Sequence, residues 1–194
     1  HPFLPSFMKN VIGITGTIAS GKDHAGKYIS KKLEVPLFEI SGPIIEAARQ
    51  RGISPTREEI TKFSPIFAKE KGEDYSARVH LAQIESLGII TGMRQVAQIE
   101  YLRSNSHLIL LAIDAETRLR FERAKSRGKF PEAASLEEFI RHDRLENSGP
   151  NTMRVQECMR MADYRLKNNT TLKDLEYNID CILRTVMPEI TSSN

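Results

Sequence analysis

One short segment constrains the fold of this chain more than any other. Residues 16–23 read Gly-Thr-Ile-Ala-Ser-Gly-Lys-Asp, the pattern of a phosphate-binding P-loop at every position except the last, where Ser or Thr is usual. The apolar run Val11-Ile12-Gly13-Ile14 precedes the segment, and helical spacing follows it from about Lys22 to Leu33. A P-loop requires a buried strand before it and a helix after it, so the pattern predicts a strand–loop–helix unit here.

The chemistry of phosphate binding explains the spacing within this segment. Glycines at both ends allow successive backbone N–H groups to converge on phosphate oxygens, and the following helix directs its positive end at the same anion. The lysine adds a full positive charge beside the β- and γ-phosphates. The alternative is a lysine-containing turn before a surface helix. We predict that ATP is bound by Gly16, Thr17, Ile18, Ala19, Ser20, Gly21, Lys22 and Asp23.

Asp23 stands where a hydroxyl usually binds Mg²⁺, and a carboxylate can also bind this hard cation. An acidic residue is also expected at the end of the third strand, where this chain has Thr91. One hypothesis is that Asp23 supplies the metal-binding carboxylate that Thr91 cannot. The alternative is that Asp23 only stabilises the positive end of its helix.

Short apolar runs alternate with longer helical patterns along the rest of the chain. Parallel strands with right-handed crossovers produce this alternation, so we predict a single α/β domain with a three-layer P-loop fold and a five-stranded parallel sheet. Two helical stretches, about 42–87 and 128–160, are too long to be crossovers and are predicted as insertions over the carboxyl edge of the sheet. The predicted strands are 11–14, 36–40, 88–91, 107–113 and 164–167. The predicted helices are 22–33, 43–51, 57–71, 74–87, 95–103, 117–127, 135–145, 152–161 and one from 170 to before 188.

Composition places the chain among soluble globular proteins. Of its 194 residues, 40% are apolar and 27% charged, and no apolar run is long enough to span a bilayer. The net charge of +3 is too small to favour nucleic acid as a partner. Cys158 and Cys181 are expected to be reduced thiols in or near the core. Residues His1–Phe7 lack the regions of a signal peptide, so we expect either a cloning remnant or a short disordered extension there, and a cytoplasmic location. We further expect a monomer or small homo-oligomer.

Four segments together resemble one branch of the P-loop proteins. They are residues 16–23, Thr91-Gly92-Met93-Arg94, Arg123-x-x-x-Arg127, and Ala162-Asp163-Tyr164 leading to Asn168. In their order and spacing the chain resembles nucleoside monophosphate kinases and dephospho-CoA kinases, above all the archaeal adenylate-kinase-related proteins described as dephospho-CoA kinase-like. A P-loop ending in Lys-Asp is also similar to those of phage-type deoxynucleoside monophosphate kinases and animal phosphomevalonate kinases. The resemblance implies an ATP-dependent kinase with an acceptor-binding insert at about 42–87 and an arginine-bearing lid at about 128–160.

The resemblance also implies roles for particular side chains. Arginine forks match phosphate geometry, which makes arginines at these positions chemically reasonable. The alternative for each arginine is a solvated or ion-paired surface residue. The implied catalytic residues are Lys22, Arg94, Arg127, Arg141 and Arg144. Arg123 and Asn168 are implied neighbours of the adenine. Gln98 is an implied contact of the acceptor base.

The acceptor site departs from the pattern of the family. Ser41-Gly42-Pro43 resembles its entry, but Glu46 replaces the arginine expected a few residues later, and Arg49 is the candidate substitute. Glu39 is the acidic candidate near an acceptor hydroxyl; the alternative is a surface or cap residue. Two acceptor classes stay open, nucleoside monophosphates and dephospho-CoA. An alternative from another class also stays open: a nucleotide-binding switch or slow ATPase that has no acceptor.

Overall fold

Five strands form one parallel sheet in the computed structural model, which describes residues 8–128, 131, 134–148 and 154–191. The strands are β1 (Asn10–Gly16), β2 (Leu37–Glu39), β3 (Leu87–Met93), β4 (His107–Asp114) and β5 (Tyr164–Lys167). They lie in the order β2–β3–β1–β4–β5, with every neighbouring pair parallel. This confirms the predicted fold class. The loop after β1 therefore lies at the middle of the carboxyl edge, where parallel α/β sheets bind ligands.

Helices cover both faces of this sheet. Their bounds in the described residues are α1 (Lys22–Leu33), α2 (Gly42–Gln50), α3 (Arg57–Lys71), α4 (Tyr75–Gln83), α5 (Val96–Asn105), α6 (Thr117–Ser126), α7 (Leu136–Ser148), α8 (Val155–Arg160) and α9 (Leu172–Thr191). Helices α1 and α3 have the predicted bounds. The Thr56 side chain accepts a hydrogen bond from the Glu59 N–H at 3.3 Å, as expected for the N-terminus of α3.

The core has two halves because successive strand residues point to opposite faces of the sheet. Ile12 and Ile14 of β1 pack in one buried cluster with residues of α1 and α9. Val11, one position away, belongs to a second cluster that includes residues of α4, α5 and α8. Burial on both faces explains why the strands appear as continuous apolar runs in the sequence.

Helix α1 lies unusually close to β3. A Cβ atom added at Gly26 would lie 2.5 Å from Thr91 Cγ2, so only glycine allows this approach. The close packing brings the first turn of α1, which carries Lys22 and Asp23, to the carboxyl end of β3. The glycine therefore contributes to the geometry of the P-loop although it lies outside the motif.

Several predicted boundaries are wrong, and the sheet explains two of them. Strand β3 continues beyond Thr91 because Gly92, with φ +83°, forms a bulge after which Met93 pairs with Thr15. Helix α4 ends at Gln83 and not at residue 87, because Leu87 already pairs with β1.

Helix α9 is longer than predicted, and α8 is shorter. Helix α9 passes through Pro188 to Thr191, although a proline inside a helix removes one backbone hydrogen bond. The helix continues because Val186 and Ile190 are buried and keep this stretch packed on the core. Helix α8 covers 155–160; residues 152 and 153 of its prediction lie outside the described residues, as does the predicted extension 1–7.

The two cysteines are free thiols, as predicted. Cys158 is buried, and its burial raises the pKa of the thiol to about 12, which makes it unreactive at neutral pH. Cys181 is partly buried. Among the helices described, none has the combination of length and apolar character that crossing a bilayer requires.

Candidate active site

The P-loop backbone has the wrapped conformation that its sequence predicts. Ala19 and Gly21 have positive φ angles of 57° and 106°, and the Ser20 N–H donates to the Thr17 carbonyl at 3.2 Å. A Cβ atom at Gly16 would lie 2.1 Å from the Ile113 carbonyl oxygen of β4. Packing against β4 thus requires glycine at position 16, and the positive φ angle favours glycine at position 21.

Lys22 and the start of α1 face the inside of this loop. The Lys22 ammonium donates to the Thr17 carbonyl at 3.2 Å, a backbone contact within the loop. Gly21 is the N-cap residue of α1 and has no side chain to accept from the first N–H groups of the helix. Those N–H groups and the lysine therefore form the cationic lining that a chain of phosphates needs.

Asn168 and Arg123 support the loop from the side of β5. The buried Asn168 amide donates from Nδ2 to the Ser20 carbonyl at 2.9 Å, and Arg123 Nη1 donates to the Asn168 carbonyl at 2.8 Å. The structure thus brings both predicted residues to the P-loop and gives them a bracing role. Their contact with adenine stays a prediction.

A buried ionic cluster beside the loop was missed by the sequence analysis. Thr17 Oγ1 donates to Asp114 Oδ1 at 2.6 Å, at the end of β4. Arg120, only 4% exposed, donates both Nη atoms to the Asp143 carboxylate of α7, at 2.7 and 2.8 Å, and Nη1 to the Ile18 carbonyl at 3.3 Å. The guanidinium therefore ties the P-loop to α7. In the sequence, Arg120 resembles its exposed neighbours, so the acidic end of β4 was the only signal.

A cleft of about 460 Å³ opens beside the P-loop. We call it the loop cleft; it is lined by Ile18, Ala19, Lys22, Asp23, Glu39, Ile40, Ser41, Arg57, Thr91, Gly92 and Arg94. It brings together residues predicted from three separate segments, namely the loop, the end of β2 and the end of β3. Arg57 was not among the predicted site residues.

A second, more apolar cavity of about 160 Å³ lies under the helices of the insert. We call it the insert pocket; its lining includes Ile44, Ile60, Phe67, Tyr75, Ser76 and Gln98. Ser76 Oγ is buried, and within the described residues it has no hydrogen-bond partner. Gln98 Oε1 accepts from the N–H groups of Arg94 and Gln95 at 3.0 and 3.1 Å, which leaves its amide nitrogen as the group that could contact a ligand. A role for Gln98 with an acceptor base stays a prediction.

The two cavities are adjacent and share part of their lining. The residues that line both are Ile40, Ser41, Arg57 and Arg94. We call the region around these four residues the passage, because it lies between the insert pocket and the loop cleft, which contains Lys22. An arrangement of this kind allows an in-line reaction between two bound molecules.

Other predicted residues lie outside the lining of the loop cleft. Arg49 is 60% exposed on the side chain, and its Nη1 lies 4.0 Å from Glu46 Oε2. Gly42 begins α2 behind Ser41. Arg127 caps α6, and Arg141 and Arg144 lie on α7; all three are exposed in the structure. Their predicted roles stay predictions, as does the lid at 128–160, of which residues 129, 130, 132, 133 and 149–153 lie outside the described chain.

The residues at the loop cleft can hold a magnesium ion that arrives with a nucleotide. Asp23 and Glu39 offer carboxylates at its wall, and Mg²⁺ is commonly held by one or two carboxylates together with phosphates and waters. Thr91 Oγ1 donates to the Phe38 carbonyl at 3.4 Å, a backbone contact within the sheet. For the residues described, no cluster of three or more His, Cys, Asp or Glu side chains forms a separate metal site.

Comparisons with known proteins agree with this geometry. A UPF0200 protein of Methanocaldococcus jannaschii is 28% identical over 183 residues, covering 91% of this chain and 90% of that protein. Shikimate kinase of Aquifex aeolicus shares the fold with a TM-score of 0.58 at 18% identity, covering 90% of this chain and 96% of its own. A gluconokinase of Sinorhizobium meliloti has a TM-score of 0.58 at 11% identity, with coverages of 97% and 99%.

These matches show the fold and leave open which kinases the chain resembles in function. At such low identities the two structures show the fold alone; by name, both are kinases of small molecules. The resemblance to dephospho-CoA kinases in particular stays a prediction. A family model described as "AAA domain" matches residues 12–165, which is more than half of the chain and includes the P-loop and the whole sheet except its first and last residues. The chain therefore belongs to the AAA domain family and has the fold of a P-loop kinase.

Proposed function

We propose that this protein is an ATP-dependent phosphotransferase that moves the γ-phosphoryl group to a small phosphorylated acceptor, either a nucleoside monophosphate or dephospho-CoA. The observation that carries the proposal is the shared boundary of the two cavities. Lys22 and other P-loop residues line the loop cleft, which shares Ile40, Ser41, Arg57 and Arg94 with the apolar insert pocket. A protein that only bound or hydrolysed ATP would not need the second cavity.

On the donor side, the chain supplies position and positive charge, which are the main requirements of phosphoryl transfer. The loop amides and the first N–H groups of α1 hold the phosphates, and Lys22 compensates the charge on the β- and γ-phosphates. Mg²⁺, bound with ATP and held by Asp23, would supply further charge compensation on the phosphate oxygens. Arg123 and Asn168 are adjacent to the loop and would border the adenine.

On the acceptor side, the insert pocket suits a body that is largely apolar. Phe67 and Tyr75 offer ring surfaces, and the buried hydroxyl of Ser76 offers one hydrogen bond to a polar atom of the acceptor. The anionic end of the acceptor would then reach Arg94 at the boundary of the two cavities. Ser41 lies at the same boundary.

The two acceptor classes make different demands on the site. The phosphate oxygen of a nucleoside monophosphate is already a nucleophile and attacks the γ-phosphorus as the bond to ADP breaks. The hydroxyl of dephospho-CoA must lose a proton as it attacks, and Glu39 at the wall of the loop cleft is the carboxylate that would accept it. The variant Glu39→Gln separates the two acceptor classes. It should slow phosphoryl transfer to the hydroxyl of dephospho-CoA, which needs a base, and not transfer to the phosphate of a nucleoside monophosphate.

A product assay tests the proposed function directly. The protein is incubated with Mg·ATP and a panel of nucleoside monophosphates and dephospho-CoA, and ADP, phosphorylated acceptor and free phosphate are separated. We expect one acceptor to give phosphorylated product in a one-to-one ratio with ADP. Equal amounts of ADP and free phosphate with every acceptor would contradict the proposal and favour the switch or slow ATPase.

The metal role of Asp23 has its own test. In Asp23→Asn we expect the dependence of ATP affinity on Mg²⁺ to weaken by about tenfold, because one anionic ligand is lost. The measurement is calorimetric titration with ATP at several Mg²⁺ concentrations. Glu34→Gln, at the other end of α1, is the matched control. An unchanged Mg²⁺ dependence in Asp23→Asn would show that the carboxylate only stabilises the helix.

A further inference from the structure

The insert carries an arginine at a position where the sequence pattern does not place one. The resemblance implies an acceptor-binding arginine on α2, where Glu46 stands, and Arg49 was its candidate substitute. The structure turns Arg49 outwards, 60% exposed and paired with Glu46 one turn earlier in α2. Its side chain lines neither the loop cleft nor the insert pocket.

Arg57, the first residue of α3, lies at the boundary instead. It lines both the loop cleft and the insert pocket. Of the residues shared by the two cavities, Arg57 and Arg94 carry the positive charges. Arg94 follows β3, so the two arginines approach the passage from the insert and from the sheet, respectively.

The position of Arg57 is well defined by its neighbours. The Thr56 side chain caps the helix by accepting from the Glu59 N–H, and the Arg57 carbonyl accepts from Thr61 Oγ1 at 2.7 Å. The guanidinium itself contacts the His142 ring of α7. The side chain thus connects the insert to α7 at the edge of the two cavities.

We propose that Arg57 binds the anionic group of the acceptor together with Arg94, and so replaces the arginine missing from α2. This inference rests on the proposed function. A guanidinium can direct two parallel N–H groups at one phosphate, and two guanidinium groups on opposite sides of a passage define both its position and its orientation. The acceptor body lies in the insert pocket, and its phosphate lies between the two arginines, beside the γ-phosphate of ATP.

The test compares substitutions along the insert, using the acceptor that the product assay selects. We expect Arg57→Gln to raise the KM for that acceptor by about ten- to a hundredfold, because a charge-assisted hydrogen-bonding fork is lost. The KM for ATP should change less than about twofold, since the P-loop is untouched. Arg57→Lys keeps the charge but not the fork, and should recover only part of the affinity.

Two other variants make the comparison specific. Lys62→Gln, which removes an exposed cation further along α3, is the control and should leave both KM values unchanged. Arg49→Gln tests the rival position and should also leave the acceptor KM unchanged. Thermal melting of every variant checks that the insert is still folded.

Three outcomes would overturn the inference. An acceptor KM that rises in Arg49→Gln but not in Arg57→Gln would return the role to α2. Equal increases in both KM values of Arg57→Gln would show a general disturbance of the cleft. If the wild type transfers phosphate to no acceptor in the panel, the proposed function fails and this inference fails with it; an active wild type with an unaffected Arg57→Gln defeats the inference alone.

Discussion

The loop cleft and the insert pocket meet at a shared boundary, yet their residues are specified in different ways. Around the P-loop, the backbone itself is the binding surface, and positive φ angles at Ala19 and Gly21 are local consequences of the motif. In the insert, binding depends on which side chains face inwards after α2, α3 and α4 have packed. Arg49 and Arg57 are both arginines of the insert, but only Arg57 lines the passage. The proposed phosphate site is therefore formed by residues close together in the sequence, and the proposed acceptor site is not.

The largest expected effect comes from a substitution in the P-loop itself. We expect Lys22→Met to lower kcat/KM for phosphoryl transfer by about a thousandfold or more, because the charge beside the transferred group is lost while the loop amides remain. The measurement is steady-state kinetics with the selected acceptor. Lys27→Met, one turn later on the exposed side of α1, is the control. Near-normal activity in Lys22→Met would contradict the proposal that the P-loop lysine compensates the charge on the transferred phosphoryl group.

The next largest effect concerns the stability of the fold. It depends on the buried pair of Arg120 and Asp143, which connects the P-loop to α7. Removing the carboxylate in Asp143→Ala leaves the buried Arg120 guanidinium without its paired fork, which should lower the free energy of unfolding by about 3–5 kcal/mol. Urea denaturation followed by circular dichroism measures the loss. Glu58→Ala removes an exposed ion pair on α3 and should have little effect. Equal losses in the two variants would show that the buried cluster has no special importance.

The smallest expected effect is a pH dependence that originates in the insert. His80 of α4 donates from Nε2 to the Glu39 carbonyl at 2.7 Å, and its burial holds the pKa of the imidazole below its ordinary value of 6.5. The unfolded chain therefore binds the proton first as the pH falls. Protonation of His80 therefore has no effect on the free energy of unfolding well above pH 6.5. It lowers this free energy progressively as the pH falls from 6.5 towards the pKa of the folded state.

The variant His80→Gln isolates this contribution, because glutamine can still donate to the Glu39 carbonyl but does not titrate. Urea denaturation at pH 5.5 and 7.5 gives the change in the free energy of unfolding for each protein. We expect the loss of stability on acidification to be smaller in the variant than in the wild type. The same loss in both proteins would show that His80 does not titrate differently in the folded and unfolded states.

Much of the fold could be predicted from the sequence because its elements depend on local patterns. Buried strands form unbroken apolar runs, and the P-loop motif identifies the centre of the sheet. The predicted ends of strands and helices were wrong where contacts with residues distant in the sequence decide them. The bulge at Gly92 exists because β3 pairs again with β1 after Thr91, and α9 tolerates Pro188 because neighbouring residues are buried against the core.

The candidate site shows the same division. Four P-loop residues, Ile18, Ala19, Lys22 and Asp23, line the loop cleft together with Glu39, Ser41 and Arg94. The sequence analysis chose these residues from separate segments, and their binding roles stay predictions. Arg57 and the pair of Arg120 with Asp143 were missed, since an arginine that faces a cleft or a buried carboxylate looks like any surface arginine in a helix. The side-chain oxygen of Gln98 caps α5, and its contact with an acceptor base stays a prediction. Only the folded chain shows where such side chains point.

By itself, the sequence determined that this protein has a phosphate-binding loop between a buried strand and a helix, within a parallel α/β sheet. Those features follow from backbone conformation and from hydrophobic burial, which act over a few residues. The tertiary structure alone decided that the loop cleft borders an apolar pocket and that Arg57 lines their shared boundary. The reason is physical: a side chain's contacts across a cavity depend on how distant helices pack, and no short stretch of sequence contains that information.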